Sequence, residues 1–434
     1  GGKCRLRTLR EEYGWKGADM RDVSLGGLER VYGDDAVRAQ ARYEALARGF
    51  VEHFGEAGAV SYFSAPGRSE IIGNHTDHNG GKILAASITM DSICVAAPTK
   101  GSLVRIVSEG YGEPIVVDLA RLDAIGPGAG STPLVAGLMV ALRERGCRLG
   151  GFDAYVSSEV IPSAGVSSSA SFEMLVGALV SGLFNGGSLD IATIARAGQF
   201  AENHYWNKAS GLMDQMACGM GGTILLDFSS GVSCRKLDFS FDDVGCGLVI
   251  VNTGRGHADL SAEYSAIPGE MRLVAAALGV DLLCQTSEER LLAELPRIRD
   301  ELGCDRALLR ALHFFEECAR VDEAAQALDA KDGRRVLDLI RASGNSSWKW
   351  LQNTVVPGSS KEQPIPLALA LTETYLSRIG AGVCRIHGGG FAGVLMCVLP
   401  TEEVTGYVEF ISRYVGRGNA YPLGIRQAGA TQVS

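Results

Sequence analysis

The chain has 434 residues, with 41 Lys and Arg against 50 Asp and Glu and a formal net charge of −9. At about 150 residues per domain this length gives two or three domains, enough for a sizeable core and a cleft between domains. With 46% hydrophobic and 21% charged residues the composition excludes wholesale disorder and a coiled coil, and the acidic balance lacks the basic footprint of a nucleic-acid or anionic-membrane binder.

Glycine, at 56 residues, is roughly twice its usual share, which points to particular loops and close packing. The 11 cysteines are scattered, with no CxxC pair, as expected of free buried thiols in a reducing compartment. No run approaches 18 apolar residues and residues 1–4 open no hydrophobic signal core, so a cytoplasmic enzyme is the expectation.

In chain order, residues 5–50 are charged and helical in pattern, with Val37, Ala41, Leu46 and Phe50 spaced as one apolar face. Ala65-Pro66-Gly67-Arg68 reads as a turn, and residues 83–95 carry the β-branched runs of strands that begin a mixed sheet. Residues 134–145 predict a helix, 152–160 an alternating strand, and 167–184 a helix entered from a Pro/Gly/Ser loop. A helix over 193–205, strands over 221–228 and 247–252, and a mostly helical stretch over 259–342 follow, before a strand pair flanking 387–393. Helical content rises near 230 without a Pro-rich linker, and no repeat of fixed period is present. The layout predicts a helical extension (1–45) and two domains, 46–230 and 231–434.

Four segments carry chemistry. The first, Pro162-Ser163-Ala164-Gly165-Val166-Ser167-Ser168-Ser169-Ala170-Ser171, lies between a strand and a helix. Small residues there let backbone N–H groups and the helix dipole face a phosphate; a Ser-rich N-cap is the plainer alternative. No GxxxxGK[ST] sequence occurs, so a nucleotide is held otherwise than by a Walker loop. The second, residues 67–81, packs Arg68, Glu70, Asn74, His75, Asp77, His78 and Asn79 between glycines. That density of donors and acceptors suits a sugar or polyol, with a capped turn as the alternative. A metal on His75, Asp77 and His78 is disfavoured, because adjacent side chains of an extended segment diverge.

The third is Glu202-Asn203-His204 followed by Gly211-Leu212-Met213-Asp214-Gln215. Asp214 in a Gly/Met turn suits a general base and Glu202 on the preceding helix a magnesium ligand, although exposed carboxylates would show the same spacing. The fourth, His387-Gly388-Gly389-Gly390-Phe391-Ala392-Gly393, lets a backbone approach a ligand or another backbone closely.

In this order the four segments resemble the three signature motifs of the GHMP small-molecule kinases, and 67–81 resembles the galactokinase signature. The resemblance spans about residues 45–434 and takes in 257–264, 306–328 and 343–352. It implies an α/β and α+β protein: an N-terminal, ribosomal-S5-like α/β domain of left-handed βαβ character and a ferredoxin-like α+β C-terminal domain. ATP and sugar would bind in the cleft between them, Mg2+ would serve as cofactor, and the chain would be a monomer with no nucleic-acid or membrane partner.

Residue by residue, Asp214 matches the family's general base, which takes the proton of the anomeric hydroxyl, and Arg68 the arginine that steadies base and phosphoryl group. Ser168 and Glu202 match the magnesium ligands, and Gly165, Val166, Ser167, Ser168 and Ser169 the phosphate loop. His75, Asp77, Gly211 and Tyr264 match sugar contacts, as does position 74.

Three departures stand out, at residues 70, 74 and 78. Where galactokinases usually read Gly-Glu-His-Thr-Asp-Tyr, this chain reads Gly73-Asn74-His75-Thr76-Asp77-His78, and Glu70 replaces the usual Asn. The family glutamate accepts from the sugar's C6 hydroxyl. At about 4 Å and an effective dielectric of about 20, a glutamate beside a C6 carboxylate would cost about 4 kcal/mol, a penalty an asparagine avoids. Galacturonate kinases also lack that glutamate. Galactose 1-phosphorylation is therefore the expectation, with a C6-altered sugar such as galacturonate as the alternative and a non-catalytic sugar sensor as a third reading. Homoserine or mevalonate phosphorylation fits residues 67–81 less well.

Overall fold

The computed structural model describes residues 23–162, 164–208, 210–254, 260–391 and 393–434. Residues 1–22 of the expected extension, Ser163 and Ala392 of the two glycine-bearing loops, and residues 257–259 lie outside the described residues.

A large sheet forms from strands that alternate their apolar side chains between two layers. β1 (Ser61–Ile72) runs antiparallel to β2 (Lys82–Pro98), which pairs β6 (Thr223–Asp227) over its first residues and β5 (Phe152–Ser158) over its last. β3 (Leu103–Ser108) lies parallel to β5 and antiparallel to β4 (Ile115–Asp118), and β7 (Ser233–Leu237) extends from β6. β12 (Thr431–Gln432), the last strand of the chain, returns to β1.

Along β2, Ile93, Val95 and Ala97 meet α1 (Leu25–Tyr32) and α2 (Ala36–Phe54), while Cys94 and Ala96 point to the opposite face. That second face is covered by α3 (Ser131–Glu144), α4 (Ser168–Phe184), α5 (Ile191–Tyr205) and α6 (Met213–Met220). A strand buried on both sides is apolar at successive positions, as this one is.

A second, antiparallel sheet runs β11–β8–β10–β9, from β8 (Cys246–Asn252), β9 (Val383–Ile386), β10 (Val394–Pro400) and β11 (Ala420–Leu423). The helices α7 (Ser261–Ala277), α8 (Glu288–Leu302), α9 (Asp305–Asp329) and α10 (Gly333–Ser346) follow β8. Leu248 and Ile250 pack with α9, α10 and Ile71, Ile72 and Leu84 of the large sheet. Val249 and Val251 pack against α11 (Pro364–Ile379) and α12 (Val404–Val415). The two sheets thus share a core at one end of β1, which fixes the cleft where the motifs meet.

Several expectations change. Ala65-Pro66-Gly67-Arg68 is not a turn but the middle of β1, where the register with β2 shifts between Pro66 and Arg68. A bulge accommodates Pro66, which lacks a ladder N–H, and β12 pairs only Phe63 and Ser64, so no second ladder passes Pro66. Val37 is 76% exposed and Ala41 is also exposed; the buried face of α2 runs through Ala36, Ala39, Tyr43, Leu46, Ala47 and Phe50. On that face the Tyr43 hydroxyl lies 2.9 Å from that of Tyr32. Strands β3, β4, β7, β11 and β12 and helices α11 and α12 also join the elements read from sequence. The predicted boundary near 230 falls in the β6–β7 turn. The ten described cysteines are free, and among the described residues no helix is long and apolar enough to cross a membrane.

Candidate active site

The loop between β5 and α4 turns sharply enough to need unusual backbone. Gly165 has φ 68, and Ser167, the residue before α4, sits in the left-handed region at φ 58, ψ 62. The loop is tied to β1: Arg68 N donates to Val166 O at 3.1 Å. A Cβ on Gly67 would stand only 2.8 Å from that same carbonyl, so glycine is what lets loop and strand touch.

Beside the loop, Arg68 is 6% exposed and its Nε donates to Asp214 Oδ1 at 2.8 Å, while its Nη1 donates to Gly165 O. Ser167 Oγ donates to the other carboxylate oxygen of Asp214. Asp214 lies in the first turn of α6 rather than in an open turn, and its side chain remains 27% exposed to the cleft. Burial alone would raise its pKa, but the Arg68 charge and hydrogen bond, helped by Lys208 and Ser167, outweigh it and hold the carboxyl at about 2. The group is an ionised acceptor at physiological pH.

Glu202, on α5 and 1% exposed, accepts from Ser169 Oγ at 2.8 Å, from Lys208 Nζ at 2.6 Å and from Gln215 Nε2 at 3.3 Å. The hydroxyl that reaches it belongs to Ser169, one residue beyond the Ser168 expected as its companion. Glu173, one helical turn after Ser169, is also buried and accepts from Gln215 at 2.9 Å, but its Oε1 has no partner. Burial, then the Glu202 charge, pushes the Glu173 carboxyl well up. Glu173 and Lys208 were not picked out from sequence, although the i, i+4 spacing of Ser169 and Glu173 puts both on one face.

On the sugar-like side, residues 73–79 form a turn and a short 3-10 helix (Asp77–Asn79), not an extended strand. His75, at φ 60, places its Nε2 2.7 Å from Gly389 O. Burial, chiefly, lowers its pKa to about 4, so the ring is neutral, Nε2–H donates to that carbonyl and Nδ1 is left as an acceptor. Tyr264 OH donates to Gly390 O at 2.8 Å, and its ring would collide at 2.6 Å with a Cβ on Gly389. Asp77 lies against Gly211, where a side chain would overlap its carboxylate. Asp77, His78, Gly211 and Leu212 line a cavity of about 530 Å³ that also takes in Arg145, Arg196 and Arg272. Asn74 is not brought to this cleft: it is 0% exposed and bonded to Glu70, Gly388, Asn353 and Ser347. Among the described residues no cluster of three His, Cys, Asp or Glu could hold a metal by itself.

Residues 48–98 match the model described as the galactokinase galactose-binding signature, and residues 133–222 match the GHMP kinases N terminal domain. The chain is 30% identical over 370 residues to galactokinase of Glaesserella parasuis, covering 84% of this chain and 91% of that one. Galactokinase of Lactococcus lactis subsp. lactis is 29% identical over 389 residues, covering 87% and 92%. The chain belongs to the galactokinase family. The crystal structure of Lactococcus lactis galactokinase complexed with galactose superposes with a TM-score of 0.77 at 25% identity, covering 90% of this chain and all of that one. The two-sheet architecture is therefore that of the GHMP kinases, and the galactokinase-family chain is a sugar kinase, a phosphotransferase with an alcohol acceptor.

Proposed function

We propose that the chain transfers the γ-phosphoryl group of ATP to the anomeric hydroxyl of galactose, giving galactose 1-phosphate and ADP. The supporting observation is Asp214, kept ionised between Arg68 and Ser167 and three residues after Gly211, which lies against Asp77. The proton of O1 passes to Asp214 as the O1–P bond forms and the bond from phosphorus to the β-bridging oxygen breaks. A carboxylate of low pKa suffices, since little proton transfer is needed before the loose transition state is reached. Arg68, fixed by Gly165 O and Asp214, orients the base and offsets charge on the transferring group. The backbone N–H groups of residues 165–169 and the start of α4 would cradle the phosphates.

The residues fit a magnesium ion. Glu202 presents a buried carboxylate with the Ser169 hydroxyl on it, and the Lys208 ammonium already marks a cation's place on Oε1 from a side chain that is 50% exposed. Glu202 and Ser169, with Ser168 beside them, would hold the ion, completed by phosphate oxygens. When bound, Mg2+ neutralises charge on the β- and γ-phosphates. His75 Nδ1, Asp77, Gly211 and Tyr264 would contact the sugar. The division into residues 46–230 and 231–434, with the cleft between, is part of the same reading.

One observation favours a second substrate. Arg145, Arg196 and Arg272 line the sugar-side cavity, and among the described residues none of them forms an ion pair. Such a wall suits an acidic sugar such as galacturonate, whose carboxylate these guanidinium groups would meet. Phosphate-transfer rates on galactose, galacturonate, glucuronate, N-acetylgalactosamine and arabinose separate the readings. Rapid turnover of galactose is expected; rapid turnover of galacturonate with negligible turnover of galactose would replace it. Asp214→Asn is expected to lower kcat by about 10²–10⁴-fold while sugar binding by calorimetry is retained. Unchanged turnover would remove the general-base role, and absence of turnover in the unaltered chain, with sugar still bound, would leave a sensor.

A further inference from the structure

Two of the three departures from the galactokinase signature, Glu70 and Asn74, touch each other. Asn74 Nδ2 donates to Glu70 Oε1 at 2.9 Å and to Gly388 O at 2.6 Å, and its Oδ1 accepts from Asn353 Nδ2 at 2.7 Å. Both hydrogens of the amide and its oxygen are used, which a carboxylate, with no hydrogen to give, cannot reproduce. Glu70, 3% exposed, keeps its charge company with Arg385 Nη2 at 3.1 Å, and Arg385 Nη1 donates to Ile71 O at 2.6 Å. The backbone of Asn74 is held as well: its carbonyl lies 2.9 Å from His313 Nε2, and the Gly73 N–H donates to Glu317 at 3.0 Å.

Gly388 begins the glycine loop whose next two carbonyls hold the sugar-side residues. Gly389 O takes the His75 ring and Gly390 O takes the Tyr264 hydroxyl. Asn353 joins the same loop, accepting from Phe391 N at 2.8 Å. The amide of Asn74 is therefore the suspension point of a loop on which two sugar contacts hang.

We propose that Asn74 is a positioning residue and makes no contact with the sugar: with Glu70 as its acceptor, it fixes the Gly388–Gly390 loop and through it His75 and Tyr264. This rests on the reading that those two side chains meet the sugar. The consequence is that residue 74 does not select at C6. Asn in place of the family's Glu at 74 and Glu in place of its Asn at 70 leave one carboxylate in the pair, relocated beside Arg385 rather than removed.

The test is the Asn74→Asp variant, which keeps shape but loses both donors. The KM for galactose is expected to rise at least about tenfold and that for 6-deoxygalactose by the same factor, with the KM for ATP within about twofold of the unaltered enzyme. Glu70→Gln, which retains an acceptor for the amide, is expected to change the galactose KM less than threefold. A change of more than about fivefold in the ratio of the two sugar KM values would mean that residue 74 touches C6, and an unchanged galactose KM would mean that it positions nothing; either overturns the proposal. If Asn74→Asp fails to fold by thermal melt, Asn353→Ala, which releases the same loop, must show the same raised KM and constant ratio, or the proposal falls. The unaltered enzyme serves as the control for the underlying reading: if it phosphorylates neither sugar, that reading fails before any variant is compared.

Discussion

Asp214 and the buried Glu173 are driven in opposite directions by their surroundings. For Asp214 the folded-state value of about 2 lies below the ordinary 3.8, so the folded state binds its proton less readily than the unfolded chain does. The resulting stabilisation, about 2 kcal/mol, is present above pH about 4 and is lost as pH falls towards 2. Glu173 has the reverse sign. Its raised pKa favours the folded chain at pH below the ordinary carboxyl value, and that contribution disappears as pH rises through the folded value. Glu173→Gln, which needs no proton to be neutral, is thus expected to raise the melting temperature relative to the unaltered chain more at pH 8 than at pH 5. Equal differences at the two pH values would show that Glu173 is ionised in the fold. Neither behaviour was legible in the sequence. Arg68, Glu202 and Asp214 stood out as types suited to phosphoryl transfer, but the Ser167 and Lys208 bonds that set their electrostatics come from loops whose fold spacing does not report. Asn74 is similar: its motif position suggests a ligand, whereas in the fold its amide bonds Asn353, Gly388 and Glu70, which lie on three separate segments.

The strand β1 and the loop before α4 show where element-level reading fails. Pro66-Gly67 has turn chemistry, and local propensity favours a turn. The strand wins because it pairs with β2 from Ser61 to Ile72 and its bulge absorbs the proline. Gly67 is then required by contact with Val166 O, not by a turn. Gly67→Ala is accordingly expected to shift the loop and raise the KM for ATP several-fold while sugar binding by calorimetry stays within about twofold; an unchanged ATP KM would show that the loop yields without consequence. Elements with strong local signals, such as the helices near 134–145, 167–184 and 193–205, lie where the spacing placed them to within a few residues. The short strands β4, β11 and β12 carry two to four residues each, too few for alternation to register, and exist because an edge is there to receive them.

Across the whole molecule the acidic surplus coexists with local sites where positive charge is concentrated, and one buried aspartate shows how the distant parts of the chain are joined. Asp91 of β2, 0% exposed, accepts from Tyr32 OH at 2.5 Å, Ser64 Oγ at 2.6 Å, Arg42 Nη1 at 2.7 Å and Arg426 Nη1 at 2.7 Å. Those donors come from α1, β1, α2 and the C-terminal segment that carries β12 back to β1. Arg426 also stacks 5.1 Å over the Tyr32 ring and donates to Ala428 O at 2.8 Å. A buried carboxylate that loses a charged partner retains the cost of burial without the compensating attraction. Arg426→Ala is therefore expected to destabilise the chain by about 3 kcal/mol in urea unfolding, at the lower end for a broken buried pair because Arg42 remains. Tyr32→Phe, which removes one neutral donor and leaves both arginines, is expected to cost about 1 kcal/mol. Were the two variants equally mild, the C-terminal segment would be a passive edge; a larger loss for Arg426→Ala makes it the tie that closes the large sheet over α1 and α2, binding residues 23–54 into the same folding unit as the cleft.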